Sequence, residues 1–380
     1  MIAWSYGTVM RIVRDEEALQ ELEVRLVNEE VALALNYPEL TGRASPEECV
    51  IVNTTAVELG LDSGGKHFVT ARLSPEGTPL SGRGEVRREG HIVKMRYTPF
   101  QHTVQSVEEK ESEYHEIFQK VEGKTLGRIP VVIGEVHSML PAFVLSLWHL
   151  WRRAGESKMP RVCYIMSEGG ALPLALSDHV RYLQSASMLT GTLTYGHAFG
   201  GQTECVNLYT ALLAAKYVWK ADVIVVAPGP GVAGTGTKFG FSGMEQITII
   251  EAAHKLGGLP VLIPRVSFAD GRERHTGISH HTLTVLRFVP EVPLVLNVEH
   301  HPKLIGQLQD QSVRHTIVFH EPKDMEIWRN ITESYPVPLV SMGRTIEDDP
   351  AFFAHMYYAA RFIWMRCLKR EEMKKMDLFS

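Results

Sequence analysis

The sequence predicts a two-part α/β protein, a small all-β domain followed by a larger, mainly parallel α/β domain. Two observations carry this. In the first hundred residues, short runs rich in Val, Leu and Ile alternate with polar residues and are separated by turn residues, the pattern of a small barrel or sandwich. From residue 129 onward, compact apolar runs alternate with longer segments of helical period. Continuous apolar strands of that kind, buried on both faces, belong to parallel sheets covered by helices. A chain of 380 residues, 44% hydrophobic and 22% charged, is long enough and apolar enough to build a core in each part.

In the first domain, residues 1–104, strands are predicted at 8–14, 20–27, 30–36, 49–54, 66–71 and 91–96. Asn36-Tyr37-Pro38, Thr41-Gly42 and Asp62-Ser63-Gly64-Gly65 supply the turns. No catalytic motif stands here, so this part reads as a structural or oligomerising module, and homo-oligomerisation through it is left open. Residues 105–128 read as a charged linker or short helix, because 106–120 has few apolar anchors and Gly123 and Gly127 follow. The α/β domain, 129–380, carries eight predicted strands at 130–134, 162–166, 191–195, 222–227, 260–264, 293–298, 316–320 and 338–342. Helices are predicted near 139–154, 171–186, 204–220, 244–257, 279–288, 301–310, 323–334 and 351–368. The count of eight suits an eightfold β/α barrel. The long glycine loop after the fourth strand and the uneven helix lengths favour an open, doubly wound, Rossmann-like sheet. In both arrangements ligands bind at the loops on the carboxyl ends of the strands.

Several function classes are excluded. The longest apolar stretch, 139–151, is interrupted by Ser146 and His149 and is too short for a bilayer span of about 20 residues. The N-terminus lacks an apolar segment ending in small residues, so the expected location is cytoplasmic, away from membranes. A net charge of −5 is not that of a nucleic-acid binder. Cys49, Cys163, Cys205 and Cys367 form no Cys-x-x-Cys pair, which leaves no disulfide framework or structural zinc site. Residues 127–380 hold 13 of the 17 histidines, which directs the search for chemistry to the second part.

There the strand ends carry the polar residues. The first strand is followed by Gly134-Glu135-Val136-His137-Ser138, the second by Ser167-Glu168-Gly169-Gly170, and the third by Gly196-His197-Ala198-Phe199-Gly200-Gly201. Glu135, Glu168, His197 and His280 are the candidate proton-moving residues, since His and carboxylates can be tuned to either acid or base work. Glu204 reads as a residue at the start of the next helix, where the macrodipole favours a carboxylate. After the fourth strand, residues 229–243 contain six glycines in fifteen residues. Such a loop can turn backbone N–H groups onto an anion, which nominates Gly229, Gly231, Gly234, Thr235, Gly236 and Thr237. The match of 229–234 to Gly-x-Gly-x-x-Gly is weak because no acidic residue is placed to hold a ribose. Gly236-Thr237-Lys238 lacks the Gly-Lys-Ser/Thr of a phosphate loop. Arg272 and Arg274 supply forked donors for a phosphate or carboxylate. Ser279 is the expected N-cap of a helix that begins at His280 and His281. His280-His281 and His300-His301 are adjacent pairs without the i, i+4 spacing of two ligands on one helix face, so no metal ligands are assigned. No serine stands in Gly-x-Ser-x-Gly.

In combination these segments resemble a bacterial family known as domain of unknown function 3866. The likeness is carried by Gly196-His197-Ala198-Phe199-Gly200-Gly201, by residues 227–237 and by Gly277-Ile278-Ser279-His280-His281-Thr282. Residues 134–138, 171–178 and 53–61 also look like that family's pattern. The resemblance implies a bacterial two-part protein and brings no activity, cofactor or catalytic residue with it. The reading from the residues is an enzyme acting on a small anionic ligand, phosphorylated or nucleotide-like, by hydrolysis or group transfer and with an unknown cofactor. A non-catalytic metabolite-binding module and a metal-dependent hydrolase are its alternatives.

Overall fold

Apolar residues at alternate positions curl the first strands into a closed barrel. A computed structural model of the protein describes residues 2–60, 64–80, 90–167, 169, 172–309, 315–322 and 326–368. It divides into two units, Met1–Val104 and Gln105–Ser380. In the first, β1 (Trp4–Asp15), β2 (Gln20–Leu26), β3 (Val31–Asn36), β4 (Cys49–Asn53) and β5 (His67–Leu73) close in the order β1-β2-β3-β5-β4. Val9, Leu22, Val24, Ala34, Val50, Val52 and Val69 fill the interior, following the period of two of a pleated strand. The long first strand serves two partners, residues 4–8 pairing with β4 and residues 7–15 with β2. Gly7 stands where the two pairings overlap, and a Cβ there would lie 2.4 Å from Val24 Cγ1. Glycine is what lets these backbones approach. Single turns α1 (Pro38–Thr41) and α2 (Thr55–Glu58) flank β4, and β6 (Ile92–Lys94) pairs with β7 (His102–Val104) in a separate antiparallel ribbon.

The second unit begins with a short helix, α3 (His115–Gln119), and is built on one parallel sheet. Its strands are β8 (Pro130–Ile133), β9 (Val162–Ser167), β10 (Gly191–Tyr195), β11 (Thr203–Cys205), β12 (Val223–Pro228) and β13 (Leu259–Leu262), joined later by β16 (Val295–Glu299) and β17 (Thr316–His320). Between β13 and β16 lies a small antiparallel pair, β14 (Val266–Ser267) with β15 (Gly277–Ile278). The sheet order is β11-β10-β9-β12-β8-β13-β16-β17. It is open, with β11 and β17 at its edges, and does not close into an eightfold barrel.

Each central strand is apolar on both sides and divides its residues between two helix layers. Val132, Tyr164 and Met166 point to the layer of α4 (Met139–Arg153), α5 (Asp178–Ser185), α10 (Glu326–Thr332) and α11 (Pro350–Phe362). Val131, Ile133, Cys163 and Ile165 point to the layer of α6 (Leu208–Tyr217), α7 (Glu245–Lys255), α8 (His280–Phe288) and α9 (Pro302–Leu308). Each such Val, Ile or Met, taken fully out of water, contributes about 1.5–3 kcal/mol relative to exposure. Neighbouring strands β8 and β12 send their chains to opposite layers, β8 into α4 and β12 into α7. A crevice opens at the carboxyl ends where neighbouring exits diverge in this way.

Two predicted elements are corrected. Residues 338–342 make no strand of the sheet. Pro336 and Pro338 lack amide donors, and the segment bends in a Ser341–Arg344 bridge, although Leu339 still reaches the core. The eighth strand is β11 instead, so Glu204 lies in a strand and not at a helix start. Glu204 Oε1 accepts from the Gly200 amide at 2.6 Å, and α6 begins at Leu208 under an Asn207–Thr210 capping box. Among the described residues no helix is long and apolar enough to cross a membrane.

Candidate functional site

The crevice between β8 and β12 is lined by Gly134 and Glu135 from the first exit, Gly229 and Gly231 from the second, and Ser167, Gly243 and Glu245 nearby. Its enclosed part measures about 20 Å³, room for one water. Glu135, 4% exposed, is the charged group at its wall. Its Oε1 accepts from Arg265 Nη1 at 2.9 Å and from His281 Nδ1 at 2.6 Å. Its Oε2 is buried and has no hydrogen-bond partner among the described residues. Burial by itself would raise this carboxyl, but the His281 hydrogen bond and the Arg265 charge outweigh it and hold Glu135 below the ordinary glutamate range. Glu135 is therefore ionised at neutral pH. On the far wall, Glu245 Oε2 accepts from Ser167 Oγ at 2.8 Å and its Oε1 from the Tyr195 hydroxyl at 2.9 Å.

Behind Glu135 the chain gathers three imidazoles. Ser279 caps α8 by accepting from the His281 amide at 3.2 Å, which places His280 and His281 on the first turn, as the sequence predicts. His275, in the turn before β15, pairs its Nδ1 with Ser279 Oγ at 2.8 Å. Ring centroids of His275 stand 5.0 Å from both His280 and His281, and those of His280 and His281 are 4.3 Å apart. One ring nitrogen of each lies within 4.8 Å of one from each of the others. Phe241, from the end of the glycine loop, stacks flat on His281 at 3.7 Å. Burial, followed by the charges of Arg265 and Arg272, lowers His275 to about 4. His280 is lowered by burial first and then by His281 and Arg274, and its Nε2 is buried without a partner among the described residues.

The predicted residues divide. Glu135, Gly229 and Gly231 line the crevice, and His280 belongs to the cluster behind Glu135. Gly234, Thr235, Gly236 and Thr237 do not reach it. They fold into an exposed hairpin in which Thr235 N donates to Gly240 O at 2.8 Å and Gly240 N to Thr237 Oγ1 at 3.1 Å. The two threonine hydroxyls bond each other at 2.9 Å, so the loop's donors are turned on itself. Arg272 is taken up as well: its Nε and Nη2 grip the buried Asp270 at 2.9 and 2.8 Å, and Asp270 is held far below the usual carboxylate range chiefly by those bonds. Arg274 is exposed and makes no hydrogen bond or ion pair among the described residues. A Cβ on Gly236 would lie 3.7 Å from its Nη2. His197 follows β10, two strands from β12, and is not among the residues lining the crevice. Glu168 lies outside the described residues. Arg265, Phe241 and Glu245 are the residues that sequence reasoning passed over. Arg265 carried a signal, a lone arginine directly after the apolar run of β13, whereas the Phe241 contact joins distant segments and had none.

The family model of a protein of unknown function, DUF3866, matches residues 33–360, most of the chain. No curated protein matches it.

Proposed function

The chain belongs to the DUF3866 family, and starting from that membership we propose that it is an enzyme acting on a small anionic molecule at the β8–β12 crevice, with Glu135 accepting the proton. The observation that carries this is Glu135 Oε2, buried and unpartnered at the crevice wall while Arg265 and His281 hold its twin oxygen. An ionised carboxylate fixed from one side acts as a base towards a water or hydroxyl, which suits hydrolysis or group transfer. The anionic end of the substrate is assigned to Arg274, which is exposed, lies beside the loop at Gly236 and makes no hydrogen bond or ion pair among the described residues. Arg272 has no part in it, because its fork is already closed on Asp270.

Phosphorylated metabolites and nucleotides, screened for binding by thermal shift and then for turnover, test the reading. Glu135→Gln is expected to keep binding and to lose about 100-fold or more in turnover. Arg274→Ala is expected to weaken binding with less effect on the bound complex. A Glu135→Gln protein as active as its parent would sink the assignment. A compound bound by both proteins and turned over by neither would place the crevice among non-catalytic sites.

A further inference from the structure

The proton-accepting role of Glu135 leaves the three histidines behind it unexplained. We propose that His275, His280 and His281 bind one divalent transition-metal ion, of the zinc class, through their ring nitrogens. Their nitrogens already lie within 4.8 Å of one another, so closing on an ion at about 2.0–2.1 Å from each asks only a small inward shift of side chains. Two of the rings are held from behind. His281 Nδ1 donates to Glu135 Oε1, and His275 Nδ1 meets Ser279 Oγ. A carboxylate or hydroxyl on one ring nitrogen is what orients the other towards a metal, and here it leaves Nε2 of each ring for the ion. The flat stack of Phe241 fixes the plane of the His281 ring. The third ring, His280, has an Nε2 that is buried and unpartnered, a polar atom whose burial calls for a partner. Imidazole nitrogens alone select ions such as zinc, copper, iron or nickel over magnesium or calcium. The i, i+4 rule does not apply, because one ligand comes from the turn before β15 and two from the first turn of α8. Three protein ligands leave a tetrahedral ion one open position.

This inference shares Glu135 and His281 with the proposed reaction, but it is measured without substrate, so either can fail alone. The chelator-treated full-length protein is titrated with Zn²⁺ alone, and with Co²⁺ to read the ligand set from its visible absorption. One ion per chain is expected. Affinity should fall about 100-fold or more in His280→Ala and about 10–100-fold in Glu135→Gln. His300→Ala, at an exposed histidine outside the cluster, should change nothing. Circular dichroism checks that each variant folds, and His280→Gln replaces His280→Ala if the alanine does not. Failure to bind one equivalent, or binding that survives substitution of His280 unchanged, would overturn the proposal.

Discussion

Glu135 and Arg265 are a charge pair with side chains only 4% and 6% exposed. Bringing such charges out of water costs several kcal/mol each, and their contact largely offsets that cost without exceeding it. The pair is consequently a poor stabiliser and an expensive one to break. Arg265→Ala should lower stability to urea by about 3–5 kcal/mol, and the double change Arg265→Met with Glu135→Gln should recover most of it. An Arg265→Ala protein within about 1 kcal/mol of its parent would show that the pair is not desolvated as a unit. At this scale the sequence revealed residues whose position is set locally. Glu135 and Gly229 follow apolar runs, and Ser279 precedes a helix, so all three were legible. Arg272 was misread because a free fork and one closed on Asp270 look alike in a string of letters. The meeting of His281, Glu135 and Phe241 joins three distant segments, and no local pattern encodes it.

Several elements are tied together by histidines that function only as neutral rings. His355 of α11, fully buried, donates from Nδ1 to Ala351 O at 2.6 Å, while its Nε2 accepts from the Glu299 amide of β16 at 3.3 Å. His137, beyond β8, bonds Pro228 O at 3.0 Å and Ser177 Oγ, the cap of α5, at 2.6 Å. Burial lowers both to about 4. An unfolded chain protonates these rings from about pH 6.5 downward while the folded one refuses the proton. Their contribution is therefore complete above pH 6.5 and drains away between 6.5 and 4, at up to about 1.4 kcal/mol per pH unit for each ring. Urea unfolding at pH 7, 5.5 and 4.5 should show this decline, less steeply in His355→Gln; a flat profile would contradict it. Element by element, most strands and helices were legible because their runs are long. The exceptions include the two- and three-residue strands, such as β11, whose Thr203-Glu204-Cys205 is too short to display a period, the single turns α1 and α2, and residues 338–342, where burial of Leu339 imitates a strand that the prolines prevent.

For the whole molecule, Val131, Val132 and Ile133 alternate between two helix layers across an open sheet, and what was present in the sequence was the unbroken apolar runs of a parallel sheet, which suit a closed barrel as well. The order of the strands was not, since nothing in a run of valines names its neighbour. That order has a consequence for how the protein is made. β8 is the first strand of the sheet to be synthesised, yet it lies between β12 and β13. At roughly 5–20 residues per second, the ribosome reaches Leu262 about 6–26 s after passing Ile133. Until then the central strand has no partner on that side, and its apolar edge is open to the pairing that leads to aggregation. Nascent chains halted with β13 still inside the ribosome should be digested by protease throughout the α/β unit, and chains halted well beyond it should resist. Resistance at the earlier length would mean that β8 does not wait. The strand at the centre of this sheet spends its first seconds as a client for whatever shields new chains in the cell.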